Sequence, residues 1–343
     1  MSSPANKQTS PPPAAEQMLQ FIVGFWSARA LYIFAKLGIA DLLKSGPKTA
    51  DELASATKTH APSLYRVLRA LASLGVVSTE GQSFGLTPLS ETLVTDAPGS
   101  IRWFIISELG QEHYPAWGNL MHSVKTGEIA FDNFFGVDIW KYFANNPEDA
   151  AVFNDSMSGM TAAVNEAITS LYDFSRFNIV VDVGGGHGGL LTGILKKNPN
   201  LKGILFDAPE VIEGARPRIE AAGLADRCEA VSGDFFKAVP GSGDVYTMKW
   251  IIHDWDDEKS NTILRNIRNQ IPSDGRLIVI DAVVPETNEP DFSKFFDLNM
   301  LVMTGGKERT ESEFRELLGG AGFKLLRVIP TDLPTSIVEA EPA

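Results

Sequence analysis

The N-terminal part of the chain places apolar residues at helical spacing. Between Glu16 and about Lys44 they recur three and four positions apart, which predicts one amphipathic helical region. Thr49 can cap a following helix, and Glu52 stands three residues later, as a capping box requires. Because the region at 16–44 is rich in aromatic residues for a free surface, we expect another apolar surface to cover it, with a second copy of the chain as the candidate.

A helix followed by a hairpin comes next. The helix is predicted over 63–74 and ends before Gly75. Strand-like segments at 76–79 and 83–87 flank a turn at 80–82 and predict a short hairpin. Helix, helix and hairpin together outline a winged helix-turn-helix.

The pattern changes after a mostly helical, aromatic-rich stretch at 99–172. Short apolar runs typical of buried strands then alternate with helical segments, at 179–183, 204–207, 228–231, 245–248 and 276–282. This alternation predicts a parallel, doubly wound α/β sheet. Two last strand-like runs, 323–329 and 335–341, leave no room for a long helix between them, so we expect them to pair antiparallel.

Length and composition limit the possible functions. A chain of 343 residues predicts two domains rather than one. Its 44% hydrophobic residues are enough to form the core of an ordinary soluble protein. The formal charge of −13 disfavours nucleic-acid binding, and the helix at 63–74 offers only Arg66 and Arg69 to a DNA groove. The lone Cys228 fits a reducing, cytoplasmic setting and is expected to be a small apolar filler of the core.

Neither a signal peptide nor a membrane span is expected. Residues 1–15 are polar and contain consecutive prolines, which predicts a disordered tail. The apolar run that follows is interrupted by Arg29, Lys36 and Asp41.

A glycine-rich turn follows the first predicted strand of the sheet. Gly184, Gly186 and Gly189 satisfy the G-x-G-x-x-G pattern, which lets a nucleotide-like cofactor approach the backbone at a helix N-terminus. Dinucleotide-binding enzymes use the same pattern, so the turn alone does not identify the cofactor.

Acidic residues end the next two strands. Asp207 is placed to accept hydrogen bonds from ribose hydroxyls, and Asp234 can accept one from an adenine amino group while Phe235 packs on the ring. The competing interpretation is that both carboxylates only cap the helices that follow.

The segment 248–257 carries the residue best suited to acid–base chemistry. His253 follows a strand end, where a neutral imidazole with a pKa of about 6.5 can take a proton from an attacking hydroxyl. Asp254 is open to a pocket role or to capping the next helix, and we interpret the acidic run at 256–258 as capping. No cluster of His and Cys has metal-ligand spacing, so no metal is expected.

The chain resembles the plant-type and bacterial small-molecule O-methyltransferases that use S-adenosylmethionine, in the stretches VDVGGGHG, FDAPEVI, GDFF, MKWIIHDWDD and GGKERT (Gly305 to Thr310). The resemblance covers nearly the whole chain after the tail. It implies a class I methyltransferase fold, which is a Rossmann-like α/β sheet with an antiparallel C-terminal hairpin, preceded by a mainly α, winged-helix dimerisation domain. It also implies S-adenosylmethionine as methyl donor, S-adenosylhomocysteine as product, a small hydroxylated acceptor and a homodimer.

On this basis the chain is expected to have four parts: a tail at 1–15, a dimerisation domain at 16–98, a helical connector that contributes to the substrate pocket at 99–172, and the catalytic domain at 173–343.

The resemblance also assigns roles to residues. The cofactor-binding residues would be Asp182, Gly184, Gly186, Asp207, Asp234, Phe235 and Lys249. His253 would be the catalytic base, flanked by Asp281 and Glu308. Plant members usually have Glu where Asp281 stands, and Leu-Pro-His is common where residues 208–210 are Ala-Pro-Glu.

The acceptor pocket is expected to be apolar and to involve Met157, Met160, Trp250, Asp254, Phe296, Asn299, Met300 and Met303. The members between 296 and 303 recur at helical spacing, so plain core packing competes with a pocket role.

The leading hypothesis is methyl transfer to a hydroxyl of a small aromatic or polyketide-like metabolite. The alternatives on the same scaffold are an N-methyltransferase and an enzyme with non-methylating chemistry. More distant alternatives are an NAD-dependent dehydrogenase and a winged-helix regulator.

Overall fold

The structure is a computed structural model of the protein. It describes residues 13–343, except for the side chains of residues 158–160. It divides into two compact units, one ending at Gln111 and the other comprising Glu112–Ala343. The boundary lies inside the segment 99–172. Of the predicted tail, residues 1–12 lie outside the described residues, and the first helix already begins at Ala14.

The first unit contains the predicted order of helix, helix and hairpin. Its helices are α1 (Ala14–Lys36), α2 (Ile39–Leu43), α3 (Ala50–Thr57), α4 (Ala61–Ser73), α5 (Pro88–Glu91) and α6 (Arg102–Glu108). Its strands are β1 (Lys48–Thr49), β2 (Val77–Glu80) and β3 (Ser83–Leu86), which form an antiparallel sheet in the order β1-β3-β2. The short β1, which the sequence pattern did not indicate, pairs with the hairpin.

The prediction of one helical region from Glu16 to Lys44 is wrong in one respect, because the chain breaks between α1 and α2. Gly38 has φ of +63°, a left-handed conformation that glycine adopts without steric cost, and it starts a new helix. The predicted capping box is confirmed, since the Thr49 side chain accepts from the Glu52 N–H and the Glu52 carboxylate accepts from the Thr49 N–H.

Helix α1 leaves a broad apolar face uncovered within its own chain. Seven of its large apolar side chains are exposed: Met18, Leu19, Phe21, Ile22, Phe25, Trp26 and Ile33. By length and composition the helix could cross a membrane, with a mean hydropathy of 1.4 and 17% of that window buried. The expectation that it does not rests on its charged residues, Arg29 and Lys36. Such a face needs an apolar partner.

The second unit holds a helical segment and the large sheet. Its helices are α7 (His113–Gly118), α8 (Leu120–Thr126), α9 (Ala130–Phe135), α10 (Ile139–Asn145), α11 (Pro147–Leu171), α12 (Gly189–Lys197), α13 (Pro209–Ala221), α14 (Asp257–Arg268), α15 (Phe292–Met303) and α16 (Glu311–Gly320). Its strands are β4 (Ile179–Val183), β5 (Lys202–Asp207), β6 (Cys228–Ser232), β7 (Val245–Lys249), β8 (Arg276–Asp281), β9 (Val283–Val284), β10 (Arg309–Thr310), β11 (Phe323–Pro330) and β12 (Ser336–Pro342).

Seven strands form one sheet in the order β11-β12-β8-β7-β4-β5-β6. Strands β4 to β8 are parallel, whereas β12 pairs antiparallel with β8 and with β11. The predicted doubly wound sheet with an antiparallel C-terminal hairpin is therefore confirmed. β9 and β10 form a separate parallel pair.

Helices cover both faces of the sheet, which explains why its strands are almost continuously apolar. Val180 joins a core cluster with side chains of α12 and α13, and its neighbour Val181 joins another with α14 and α16. Cys228 is buried in the first of these clusters, which confirms its predicted role as a core filler.

The strand order creates the position of the site. The chain runs from β4 outward through β5 and β6, then returns to β7 on the other side of β4. Ligands of open α/β sheets bind at such a switch point, beyond the carboxyl ends of the strands. The glycine turn, Asp207, Asp234, His253 and Asp281 all follow or end strands at this edge.

A buried carboxylate ties the terminal hairpin to the end of α11. Glu339 on β12 is 2% exposed and accepts hydrogen bonds from Tyr172 Oη (2.7 Å), Arg176 Nη2 (2.7 Å) and Arg327 Nε (2.6 Å). Its removal would leave the buried Tyr172 hydroxyl without this acceptor.

We therefore expect Glu339→Ala to lower the free energy of unfolding by about 1–3 kcal/mol, the usual cost of leaving buried polar groups unsatisfied. Urea unfolding measures the change. Glu341→Ala is the matched control, because Glu341 is more exposed and pairs with Lys324 at 3.6 Å, an interaction worth about 1 kcal/mol or less. Equal losses in the two variants would contradict the assignment.

Candidate active site

The glycine turn has open space at Gly186, where a ligand could lie against the backbone. Gly184, Gly186 and Gly188 have φ of +67°, +57° and +78°, and Gly188 is the N-cap of α12. A Cβ atom at Gly184 would overlap the side chain of Ile251. The main chain therefore approaches the next loop closely and presents the start of a helix, which suits a polar cofactor.

Asp207 holds this turn in place. Its Oδ2 accepts from the Gly186 N–H at 2.8 Å and its Oδ1 accepts from the Ala208 N–H at 2.7 Å. Burial raises the pKa of the carboxyl group. Asp207 does not cap α13, whose N-cap residue is Ala208, so the capping interpretation is wrong here. Each carboxylate oxygen keeps acceptor capacity for a ligand hydroxyl.

Asp234 and Phe235 lie at the end of β6. The Asp234 carboxylate is exposed, accepts from the Phe236 N–H at 2.9 Å and pairs with Lys237 at 3.2 Å. The Phe235 ring packs edge-on against Trp255, with 6.3 Å between centroids. Asp234 therefore closes a local turn, and the two residues offer one accessible carboxylate beside an aromatic ring.

Asp182 lies directly under the turn. It is 1% exposed, and its Oδ1 accepts from Thr247 Oγ1 at 2.7 Å. A Cβ at Gly185 would stand 2.6 Å from Asp182 Oδ2, and that oxygen has no hydrogen-bond partner among the described residues. Burial raises the pKa of Asp182 to about 6. An unpaired buried oxygen at this point fits a donor group supplied by a ligand.

Lys249 ends β7 in a largely apolar setting. Its Nζ donates to Thr161 Oγ1 at 3.1 Å and stands 3.8 Å from the ring centroid of Trp250. Burial lowers the pKa of Lys249 to about 8. Trp250 has φ of +57°, which is strained for a bulky residue and marks a sharp change of direction after the strand.

His253 is buried and oriented by a carboxylate. It lies in the short 3₁₀ turn Ile252–Asp254 and is 7% exposed. Its Nδ1 lies 2.7 Å from Glu308 Oε1, and Glu308 is itself 2% exposed. Because Nδ1 is engaged, Nε2 is the nitrogen left for a substrate, with Asp254 Oδ1 at 3.8 Å. The Phe296 ring lies 5.9 Å from the imidazole.

Asp281 stands at the end of β8 with both carboxylate oxygens buried and unpaired among the described residues. Burial raises the pKa of Asp281 to about 7 and that of Asp254 to about 6. Glu308, and not Asp281, makes the hydrogen bond to the histidine. The next helix is capped by Asp256, so the capping interpretation is correct for 256–258 and wrong for Asp254.

The charge around His253 differs from the expectation of a neutral imidazole. Burial lowers the pKa of His253, but the negative charges of Glu308 and Asp254 outweigh it and raise the pKa to about 10. In the ligand-free site the ring is therefore an imidazolium at neutral pH. A positive charge held nearby would lower this pKa.

Gly306 allows the two halves of the site to meet. A Cβ there would overlap the main-chain oxygen of His253, and the next residue, Lys307, donates its N–H to that oxygen at 2.8 Å. The segment GGKERT therefore packs directly against the turn that contains His253, and this packing places Glu308 beside the imidazole.

The candidate acceptor residues are only partly brought together. Asn299 Oδ1 accepts from the Trp117 indole N–H at 2.8 Å, a partner that the sequence pattern did not indicate. Met303 belongs to a core cluster and is 2% exposed, and Met300 is 6% exposed, so both are buried and their pocket role stays a prediction. Met157 lies half-buried on α11, and the Met160 side chain is outside the described part of the chain.

Three other residues near the site had no assigned role. Asp297 Oδ1 accepts from the Glu308 N–H at 3.0 Å, Thr247 holds Asp182, and the Arg309 guanidinium is buried between the two site loops. A charged residue immediately after a proposed catalytic carboxylate is the signal that could have drawn attention to Arg309.

Known proteins match the chain over nearly its whole length. The family model of the O-methyltransferase domain matches residues 117–324, and that of the O-methyltransferase dimerisation domain matches residues 19–96. Phenazine O-methyltransferase PhzM of Lysobacter antibioticus is 46% identical, over 98% of this chain and 99% of that protein. Phenazine-1-carboxylate N-methyltransferase of Pseudomonas aeruginosa is 30% identical, over 95% of this chain and 97% of that one.

The structure is also similar to that of CalO1, a methyltransferase in calicheamicin biosynthesis solved in its SAH-bound form. The TM-score is 0.86 at 37% identity, and the similarity covers 96% of this chain and 98% of CalO1.

We expect Gly184→Ala to weaken binding of S-adenosylhomocysteine at least about tenfold. The new methyl group would displace the turn from Ile251, and the positive φ adds strain of about 1–3 kcal/mol. Calorimetric titration measures the affinity. Gly136→Ala is the matched control, because Gly136 has a similar φ of +72° with open space around it. Unchanged affinity in Gly184→Ala would remove the turn from the cofactor site.

Proposed function

The chain belongs to the family of S-adenosylmethionine-dependent O-methyltransferases, and we propose that it methylates a hydroxyl of a small aromatic metabolite with His253 as general base. The observation that carries the proposal is the buried hydrogen bond of 2.7 Å between His253 and Glu308, beside the glycine turn. A DNA-binding regulator has no use for this pair, and the match of the O-methyltransferase domain over residues 117–324 disfavours a dehydrogenase.

The residues at the switch point suit the cofactor. S-adenosylmethionine supplies, when bound, a methyl group activated by a sulfonium. Gly186 has open space beside its backbone in which the cofactor could lie, and Asp207 keeps acceptor capacity for its ribose hydroxyls. Asp234 and Phe235 would hold the adenine, and the unpaired oxygen of Asp182 and the Lys249 segment would line the remainder. The donor set contains nothing that requires a metal.

His253 would hold and remove the proton of the acceptor hydroxyl. Nε2 would accept the O–H proton while the hydroxyl oxygen is methylated, and the donor would leave as S-adenosylhomocysteine. Glu308 on Nδ1 keeps the ring in the required tautomer and stabilises the imidazolium that results. Asp281 would act on the same ring through its charge alone.

The protonation state of His253 would then depend on the cofactor. With a pKa raised to about 10, the free site holds an imidazolium. A sulfonium charge bound nearby disfavours that second positive charge and lowers the pKa. Binding of the methyl donor would thereby favour the neutral imidazole that base catalysis requires.

The acceptor is proposed to be a flat, fused aromatic compound such as a phenazine carrying a hydroxyl group. Phe296 beside the imidazole and the Trp117–Asn299 pair supply aromatic and polar surfaces for such a ring. The 46% identical relative is a phenazine O-methyltransferase by name.

N-methylation is the second candidate, because the 30% identical relative is a phenazine-1-carboxylate N-methyltransferase by name. A ring nitrogen with a lone pair needs no base, so the buried His253–Glu308 pair favours oxygen as the nucleophile. Parallel assays with a hydroxyphenazine and a phenazine carboxylate distinguish the two.

Association of two chains through the N-terminal unit is part of the proposal. The exposed apolar residues of α1, except Met18, lie within the residues that match the dimerisation domain, 19–96. A homodimer would remove this face from contact with water. The enzyme is also expected to be cytoplasmic.

We expect His253→Ala to retain its affinity for S-adenosylhomocysteine and to lose about 10²–10⁴-fold in kcat, the usual contribution of a general base. The loss should ease at high pH, because a phenol ionises by itself with a pKa of about 10. In the native enzyme kcat/KM should rise with pH, by up to about tenfold per pH unit. It should level off at a pH below about 10, which is the pKa of His253 in the ligand-free site.

Steady-state rates from pH 6 to pH 10 and calorimetric titration provide these measurements. His122→Ala is the control, since His122 pairs with an exposed carboxylate, that of Glu128, and has no proposed role. Full turnover in His253→Ala would overturn the general-base assignment, and lost cofactor affinity would show that the residue is misplaced.

We expect the native chain to sediment as a dimer at micromolar concentration and the double variant Phe21→Glu/Trp26→Glu as a monomer. Two buried carboxylates would disfavour an apolar interface strongly. Gln20→Glu is the control, because Gln20 lies on the opposite side of α1 and adds the same kind of charge. A native monomer, or a dimer that persists in the double variant, would contradict this interface.

A further inference from the structure

Arg309 is a buried cation placed between the two loops that carry the base and its partner. It is 1% exposed, although it directly follows a loop and is the first residue of the short strand β10. Burying a guanidinium is costly unless its N–H groups are paired. In this case every partner comes from the segments around His253, Lys307 and the start of α14.

The guanidinium makes a set of hydrogen bonds that spans those segments. Nη1 donates to Ile252 O (3.1 Å) and Lys307 O (3.2 Å); Nη2 donates to Trp255 O (3.0 Å), Ser260 Oγ (3.3 Å) and Asp257 Oδ1 (2.7 Å); and Nε donates to Asp257 Oδ1 (3.0 Å). Arg is suited to this task because its donors form a rigid planar fork, which a lysine lacks.

Two of these acceptors bracket the catalytic turn. The carbonyl of Ile252 comes just before His253 and that of Trp255 just after Asp254. Lys307 N–H holds the carbonyl of His253 itself. The turn is therefore held at three carbonyl groups, those of Ile252, His253 and Trp255, by the segment that contains Glu308.

We propose that Arg309 is a positioning residue for methyl transfer, which locks the His253 turn against the loop of Glu308 and so sets the His253–Glu308 hydrogen bond. Arg309 makes its hydrogen bonds to the backbone around His253 and to the start of α14, and it would act through His253. The inference rests on the proposed function, because it assumes that His253 is the base.

The experiment is a double-mutant cycle of Arg309→Met with His253→Ala. We expect Arg309→Met to lower kcat about 10- to 100-fold, since small misplacements of a catalytic group have effects of that size. The KM for S-adenosylmethionine should stay within about twofold. In the His253→Ala background the same substitution should lower kcat by less than about threefold, because a residue that acts only through the base has nothing left to position.

Two further variants keep the test informative. Arg309→Lys should recover only part of the loss, since one ammonium cannot reach all of these acceptors. Arg315→Met is the matched control, because Arg315 is exposed and pairs with Glu311 at 2.7 Å within α16. If Arg309→Met does not fold, Asp257→Asn removes the anionic partner at an exposed position and should lower kcat several-fold, again without effect in His253→Ala.

The outcomes distinguish the proposed general-base role of His253 from the proposed positioning role of Arg309. Turnover retained in His253→Ala overturns the proposed base and, with it, the premise for Arg309. Turnover lost in His253→Ala but unchanged in folded Arg309→Met overturns the positioning role alone. Losses that multiply in the double variant show that Arg309 only supports the fold.

Discussion

The hydrogen bond between His253 and Glu308 is the interaction on which the arrangement of the site depends. The two residues are 55 positions apart and lie on loops that leave different elements, so their 2.7 Å contact requires two backbones to pack directly on each other. Gly306 permits that approach because any side chain there would overlap the His253 carbonyl. With Nδ1 occupied, the imidazole has one orientation and one nitrogen available for chemistry.

The sheet topology places this pair next to the cofactor turn. β4 and β7 are neighbours in the sheet although β5 and β6 separate them in the chain. The loops that follow them are therefore adjacent, and the Ile251 side chain lies against the backbone of Gly184. The same close approach that shapes the cofactor turn also sets the distance from that turn to the histidine, so methyl donor and base would be held by one rigid edge.

Burial makes the site electrostatically unusual. Asp254 and Asp281 have pKa values raised by burial to about 6 and about 7, while their charge and that of Glu308 raise the pKa of His253 against the effect of its own burial. Because several acidic groups surround a single histidine, the site carries more negative than positive charge. A cationic methyl donor is suited to such a site and would change the protonation of the base as it binds.

The sequence by itself determined the strands of the sheet, the glycine turn and the capping box of Thr49, because each follows from local periodicity or from a residue with a special backbone preference. The sequence also identified the family, because each motif that resembles the family is a contiguous stretch of the chain. Only the tertiary structure decided the break at Gly38, the pairing of Asn299 with Trp117, the clamp made by Arg309 and the raised pKa of His253. These features depend on which residues, far apart in the chain, share one buried space, where distances of a few ångströms set hydrogen bonding and charge.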